Sequence, residues 1–389
     1  MSQLPRSTDV FVIGGGPAGL AAAIAARRRG LSVTLADCSV PPIDKACGEG
    51  IMPDGVLAAR SLGIDLEEAG AQQFRGIRFC DRGSGAPVQV EARFPNGHGL
   101  GLRRTSLHHL MVEHAAEAGV NLAWGVRVTG IGEEGVVADD RTVRARWIVG
   151  ADGGHSPVRR WAGLDACERD SRRFGFRRHY AVPAWSEFME IHWGDACQLY
   201  ITPVGPREIC VVLISRNPKL RLDDALPQFP EVARRLSPVG QAFSPVQDRP
   251  IGLSHMPQER GGVSASRRLK AVCRGNVALV GDASGSVDAI TGEGLCLLFQ
   301  HAVALAGAIE AGDLKLYQAE HRRLGKRPEF MADLMLFLDN RGRLRRRTFR
   351  AMASHPQLFD GMLAMHVGQL STFDFLTNSL SLGWRLVTL

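Results

Sequence analysis

Asp9 to Gly30 reads DVFVIGGGPAGLAAAIAARRRG, in which an apolar run, a Gly14-x-Gly16-x-x-Gly19 turn and an alanine-rich segment follow one another directly. This order predicts a strand, a tight turn and a helix that together cradle a dinucleotide pyrophosphate. Gly14 permits the turn, Gly16 lets the backbone approach the phosphates without a Cβ, and Gly19 lets helix and strand pack closely. Pro17 suits the first helical turn, since its ring presets φ and its missing N–H is not needed there. With Ala18, it opens a helix whose free N–H groups and positive dipole face the ligand. A second strand over Ser32–Ala36 ends at Asp37, about 20 residues after the glycines, where a carboxylate accepts hydrogen bonds from a ribose diol. Glycines are common at strand-to-helix turns, but here strand, turn, helix and acidic strand end stand in order. The expected ligand is an adenine dinucleotide.

Two further segments decide which one. Trp147–Arg160 (WIVGADGGHSPVRR) is an apolar strand running into an Asp-Gly motif, and Asn276–Leu298 (NVALVGDASGSVDAITGEGLCLL) is another running into Gly281-Asp282 and then Gly292-Glu293-Gly294. Together with the N-terminal motif they resemble the FAD-dependent aromatic hydroxylase (para-hydroxybenzoate hydroxylase-like) superfamily and, within it, the geranylgeranyl reductase branch. The match runs to about residue 310. The resemblance implies FAD as cofactor, reduced by NAD(P)H or through a separate flavin reductase. It implies cofactor contacts from Asp152 and Gly153, from Gly281 and Asp282 on the ribityl or phosphate side, from Val128, and from Arg104 at a helix start. The plain alternative for Arg104 is a solvated helix residue. Lys45–Met52 (KACGEGIM) resembles the reductase loop beside the flavin ring, placing Cys47 and Gly48 against it. Cys47 has no neighbouring cysteine to resolve it, which favours a packing or flavin-contact role. Gly292, Gly294 and Leu295 open an apolar helix whose N–H groups are suited to the negative charge of reduced flavin, a reading compatible with an ordinary capped core helix over Leu295–Ile309.

The chain has 389 residues, enough for two or three units with an ample core. Its hydrophobic fraction of 45% and mean hydropathy of -0.05 fit a soluble globular protein, and its scattered cysteines a cytoplasmic one. The eight cysteines show no C-x-x-C and no Cys/His metal spacing, so reduced thiols and no metal site are expected. The apolar stretch Gly294–Ile309 is interrupted by Gln300 and His301, which argues against a membrane span. Net charge is +7, almost all from arginine, because lysine occurs only at 45, 219, 270, 315 and 326. The densest basic cluster, Arg341–Arg350, offers a peripheral membrane contact. A solvated helix face is the better reading, and without aromatic platforms or a nucleic-acid motif no nucleic acid is expected as a partner.

The fold expected is α/β: a Rossmann-like FAD-binding domain with an inserted antiparallel-sheet substrate domain and a helical C-terminal region. Residues 1–73, 100–166 and 264–310 are assigned to the first, 74–99 and 167–263 to the second, and 311–389 to the third. Phe74–Pro95 reads as a hairpin around a Gly83-Ser84-Gly85 turn, and Thr105–Gly119 as a helix. Further strands are expected at Phe174–Val182, Phe188–His192, Gln198–Thr202 and Glu208–Ile214, with Pro203-Val204-Gly205-Pro206 turning between the last two. Phe330, Leu334, Phe337 and Leu338 fall at helical spacing.

The resemblance implies an FAD-dependent oxidoreductase acting on a hydrophobic small molecule. Its leading form is a monooxygenase that activates oxygen at flavin C4a and hydroxylates or epoxidises an aromatic or polyketide-like substrate. The alternative is a geranylgeranyl-reductase-like enzyme that reduces C=C bonds of an isoprenoid, favoured by the Cys47-Gly48 loop and by Asp288–Gly294. The aromatic strand motif of such reductases is only partly echoed in Tyr200-Ile201-Thr202-Pro203. A halogenase lacks its W-x-W-x-I-P motif here, and a non-catalytic flavin-binding or membrane-surface protein is the weakest alternative. His179, Tyr180, His192 and Tyr200 are acid–base candidates in the predicted substrate sheet, each also readable as an ordinary sheet residue.

Overall fold

The computed structural model describes residues 4–82, 87–237 and 259–370. Strand Ser7–Ile13 lies at the centre of a parallel sheet, and Val10–Ile13 are buried as an unbroken apolar run requires. Val33–Asp37 and Arg141–Gly150 flank it, Asn121–Trp124 and Val277–Leu279 lie outside these, and all four neighbouring pairs run parallel. Helix Pro17–Arg27 crosses between the first two strands. Its buried alanines at 21–23, 25 and 26 are small enough for helices Arg104–Glu117 and Gly294–Glu310 to pack against it.

The second sheet has seven strands in the order Arg260–Leu269, Cys167–Tyr180, Glu208–Ser215, Cys197–Gly205, Met189–Trp193, Gly76–Asp81 and Val88–Arg93. It is antiparallel except where Met189–Trp193 meets Gly76–Asp81 in parallel. These two strands come from distant parts of the chain, so no hairpin dictates their direction. The sheet also continues to Leu269, beyond the expected boundary at 263. The reversal expected from Pro203 falls later: Pro203 and Val204 remain in the strand, Gly205 pairs with Glu208, and a register shift at Pro203–Gly205 accommodates the proline. The Gly83-Ser84-Gly85 turn lies outside the described residues, as do 238–258 and 371–389 of the expected units.

Side chains of this sheet alternate between two cores. Cys210, Val212 and Ile214, with Tyr200, Met189 and Ile191, face the parallel-sheet half, while Val211, Leu213, Leu199 and Ile201 pack outward with Leu222, Phe229 and Val232. Helices Leu314–Asp339, Gly342–Ser354 and Gln357–His366 follow helix Gly294–Glu310. In the first of these Met331, Met335 and Leu338 are buried, whereas Phe330 and Phe337 face outward. Arg345, inside the basic cluster, is also buried and paired with Asp81 at 2.7 Å, so Arg341–Arg350 is not one solvated face. Among the described residues no helix is long and apolar enough to cross a membrane.

Candidate cofactor and active site

The glycines of the three motifs do two different jobs. Gly14 has φ +115°, and a Cβ there would lie 2.4 Å from the Ala151 carbonyl oxygen; a Cβ on Gly19 would lie 1.9 Å from the Gly14 oxygen. These two let the first motif close on itself and on the Asp-Gly segment. Gly281, at φ +57°, would place a Cβ 2.6 Å from that of Ala18, bringing the third motif against the same helix start. Gly16, Gly48, Gly153 and Gly294 instead have no heavy atom within 4 Å of a Cβ position. Their bare backbone faces open space, as a surface meant to touch phosphates and a planar ring requires.

Asp37 accepts from the Gly15 N–H at 2.6 Å and from the Ser39 N–H at 2.7 Å, which fixes its carboxylate at the end of its strand. Val126 donates its N–H to the Asp37 carbonyl, so the segment leading to half-buried Val128 runs beside that strand end. Asp152 turns back to its own chain, accepting from the Ser156 hydroxyl at 2.5 Å and the Val158 N–H at 3.0 Å. It therefore holds the loop in place, and Gly153 and Gly154 are left as the open backbone. Arg159, which sequence reasoning did not single out, donates to the Gly154 and Ala283 carbonyls at 2.9 and 3.2 Å and so ties the Asp-Gly motif to the Gly-Asp motif. Exposed Asp282 pairs with Lys45 of the KACGEGIM loop.

That loop turns on Glu49, a buried non-glycine residue with φ +60°. Its carboxylate lies 2.9 Å from Arg177 Nη1 and 2.6 Å from His179 Nε2, and it accepts the Arg104 N–H at 2.9 Å. These contacts offset the cost of the backbone conformation. Cys47 sits beside this carboxylate; burial, and then the charge of Glu49, push its thiol up, which keeps it protonated. Arg104 is buried, not solvated, and its Nη1 has no hydrogen-bond partner among the described residues. Burial lowers its pKa. A guanidinium so placed calls for an anionic or acceptor-rich partner.

Period-two alternation divides the four acid–base candidates. His179 faces Glu49, and Tyr200 donates its hydroxyl to the Ile290 carbonyl at 2.8 Å. Tyr180 lies on the outer face with Arg178, and His192 pairs there with Glu190 at 2.9 Å. The structure thus removes Tyr180 and His192 from the site, because their neighbours in the strand point the other way.

Beyond Ile290 and Thr291, on the loop leading to Gly292 and Gly294, lies a small apolar pocket, partly open to solvent. Met52, Met189, Met331, Met335 and Met362 line it, with Ile77, Phe79, Ile191, Phe359 and Leu363. Of its lining residues only Thr291 and His366 carry polar side chains. Neither the pocket nor His366 was anticipated. Its methionines come from four distant segments, and no local pattern marks them.

Glycine motifs whose backbone at Gly16, Gly48, Gly153 and Gly294 faces open space, with a buried arginine whose Nη1 has no partner among the described residues, fit FAD and define a dinucleotide-dependent oxidoreductase. The chain belongs to the FAD binding domain family, which matches residues 7–312. It is 27% identical over 312 residues to the menaquinone reductase of Mycobacterium tuberculosis, covering 74% of this chain and 73% of that one. To the digeranylgeranylglycerophospholipid reductase of Methanosarcina acetivorans it is 29% identical over 341 residues, covering 80% and 78%. To the 6-methylpretetramide 4-monooxygenase of Streptomyces rimosus it is 36% identical over 173 residues, covering 40% and 41%. The fold is shared with the flavin-dependent brominase Bmp2 at a TM-score of 0.75 and 20% identity, covering 97% and 99%. The protein is an FAD-dependent oxidoreductase.

Proposed function

We propose that this enzyme reduces a carbon–carbon double bond in a prenyl chain. The pocket carries the reading: methionine, leucine, isoleucine and phenylalanine side chains suit a flexible, unfunctionalised hydrocarbon and offer few groups to orient a phenol. Similarity over 74% and 80% of the chain to two reductases, one named for menaquinone and one for a digeranylgeranyl lipid, supports the same substrate class. This reverses the preference drawn from sequence, which placed the oxygenase first.

Gly16, Asp37, Arg104 and Gly153 would hold FAD, with Gly48 and Gly294 against its ring end, on a frame closed by Gly14, Gly19 and Gly281. Bound and reduced, FAD supplies a hydride. The chain contributes the rest: the Glu49 network fixes the ring-side loop, Tyr200 fixes Ile290 and the loop beyond it, and the methionines align the prenyl chain while excluding water. NAD(P)H or a separate flavin reductase is the proposed electron source.

Oxygenation of an aromatic substrate is the second reading, supported by the shorter but more similar match to the Streptomyces rimosus monooxygenase. Following NAD(P)H and dissolved oxygen together over a panel of prenylated quinones, prenyl lipids and phenols separates the two. A reductase turns over under argon, whereas stoichiometric oxygen consumption with an oxygenated product would establish the oxygenase.

A further inference from the structure

The turn between strand Ser7–Ile13 and helix Pro17–Arg27 is held from beneath by a buried histidine. His108, in helix Arg104–Glu117, has no exposed surface, and its Nε2 is 2.9 Å from the Gly15 carbonyl oxygen. A carbonyl only accepts, so Nε2 carries the hydrogen and donates it. The ring's other nitrogen, Nδ1, has no partner among the described residues, so the bond to Gly15 is the polar contact the buried ring makes there. The N–H of the same glycine donates to Asp37 at 2.6 Å, and a Cβ on Gly15 would lie 2.2 Å from the Trp124 ring. Both backbone groups of Gly15 are thus engaged inside the fold, with Trp124 as the floor.

In a trans peptide the C=O and the N–H that follows it point in opposite directions. The Gly15–Gly16 peptide is trans, so with the Gly15 carbonyl turned inward to His108, the Gly16 N–H is turned outward. That N–H makes no hydrogen bond among the described residues, and Gly16 is also where a Cβ would meet only open space. A flipped peptide would present a carbonyl oxygen at the same place, and its partial negative charge repels phosphate, whereas an N–H attracts it. We infer that His108 is a positioning residue for FAD, which by holding the Gly15 carbonyl keeps the Gly16 N–H aimed at the pyrophosphate. Arg104 stands four residues earlier on the same face of the helix, so one element carries both the unpartnered guanidinium nitrogen and the group that orients the turn. The inference rests on FAD lying over Gly16 and holds for reduction and oxygenation alike.

The test titrates FAD into the flavin-free, full-length native protein and into H108Q, H108L and H108M, and takes the phosphorus NMR spectrum of each complex at saturating FAD. Glutamine places an amide N–H near the position of Nε2–H, whereas leucine and methionine fill the space without a donor. Methionine is included because its flexible chain can refill the site if the leucine variant does not fold. H108L and H108M are expected to bind FAD about tenfold to a hundredfold more weakly, with the pyrophosphate resonances displaced. H108Q is expected to stay within about threefold of native, with native resonances. Lower stability alone would leave the resonances of bound FAD in place. Native-like affinity in a donor-free variant, undisplaced resonances in both, or H108Q as weak as H108L would overturn the inference. Gly16→Val separates this from the placement of FAD. Full FAD retention in that variant would overturn the placement and the inference with it, whereas its loss beside native-like binding in H108L would overturn the role of His108 alone.

Discussion

Gly14 and Gly16 stand two residues apart and are expected to respond differently to the same change. At Gly14 a methyl group would meet the Ala151 carbonyl oxygen at 2.4 Å in a left-handed backbone, so Gly14→Ala should destabilise the flavin-free protein by about 3 kcal/mol or more. At Gly16 it would enter open space, so Gly16→Val should leave the flavin-free melting temperature within about 2 °C and abolish FAD retention. Thermal unfolding and flavin titration of the two variants check this. The histidines set a pH limit. Burial, with a nearby arginine second, holds both His321 and His366 at about 4, against an ordinary 6.5. Each favours folding while neutral, so its contribution is fully present above pH 6.5 and is lost as pH falls from 6.5 toward 4, at about 1.4 kcal/mol per unit. Melting temperature should fall across that window, less steeply in H321Q; equal slopes would contradict this.

At the level of elements, helix Gly342–Ser354 is tied to strand Gly76–Asp81 by Arg345 and Asp81, both buried, with the guanidinium carbon also 5.1 Å from the Trp193 ring centre. Arg345→Ala should cost about 3–5 kcal/mol because it takes the guanidinium away from a buried carboxylate, whereas Arg345→Met with Asp81→Asn should recover most of that loss in chemical denaturation. The nucleotide-binding elements were legible because strand, glycine turn and helix follow one another within Asp9–Gly30, and the same holds for Trp147–Arg160 and Asn276–Leu298. Their chemistry is local. Pro203 misled because a proline in a strand reads as a turn, while here a register shift absorbs it. Arg345 looked like part of a solvated cluster because its partner, Asp81, lies in a strand far away in sequence. His179 and Tyr180 are adjacent in sequence, and only the register of the sheet shows which faces the site.

Over the whole molecule, the cofactor groove belongs to one half and the apolar pocket is assembled where the second sheet, the Asp288–Gly294 loop and the C-terminal helices meet. No single segment encodes it, which is why the pocket was not legible in the sequence. Narrowing the pocket with Met335→Trp should lower kcat/KM for a long prenyl substrate about tenfold or more without changing flavin content. The most direct test of the enzyme's role is the mass of the product formed under argon from a prenylated quinone, reductant and the FAD-loaded protein. A side chain heavier by two hydrogens is expected; an unchanged side chain under argon, with an added oxygen atom appearing only in air, would contradict it.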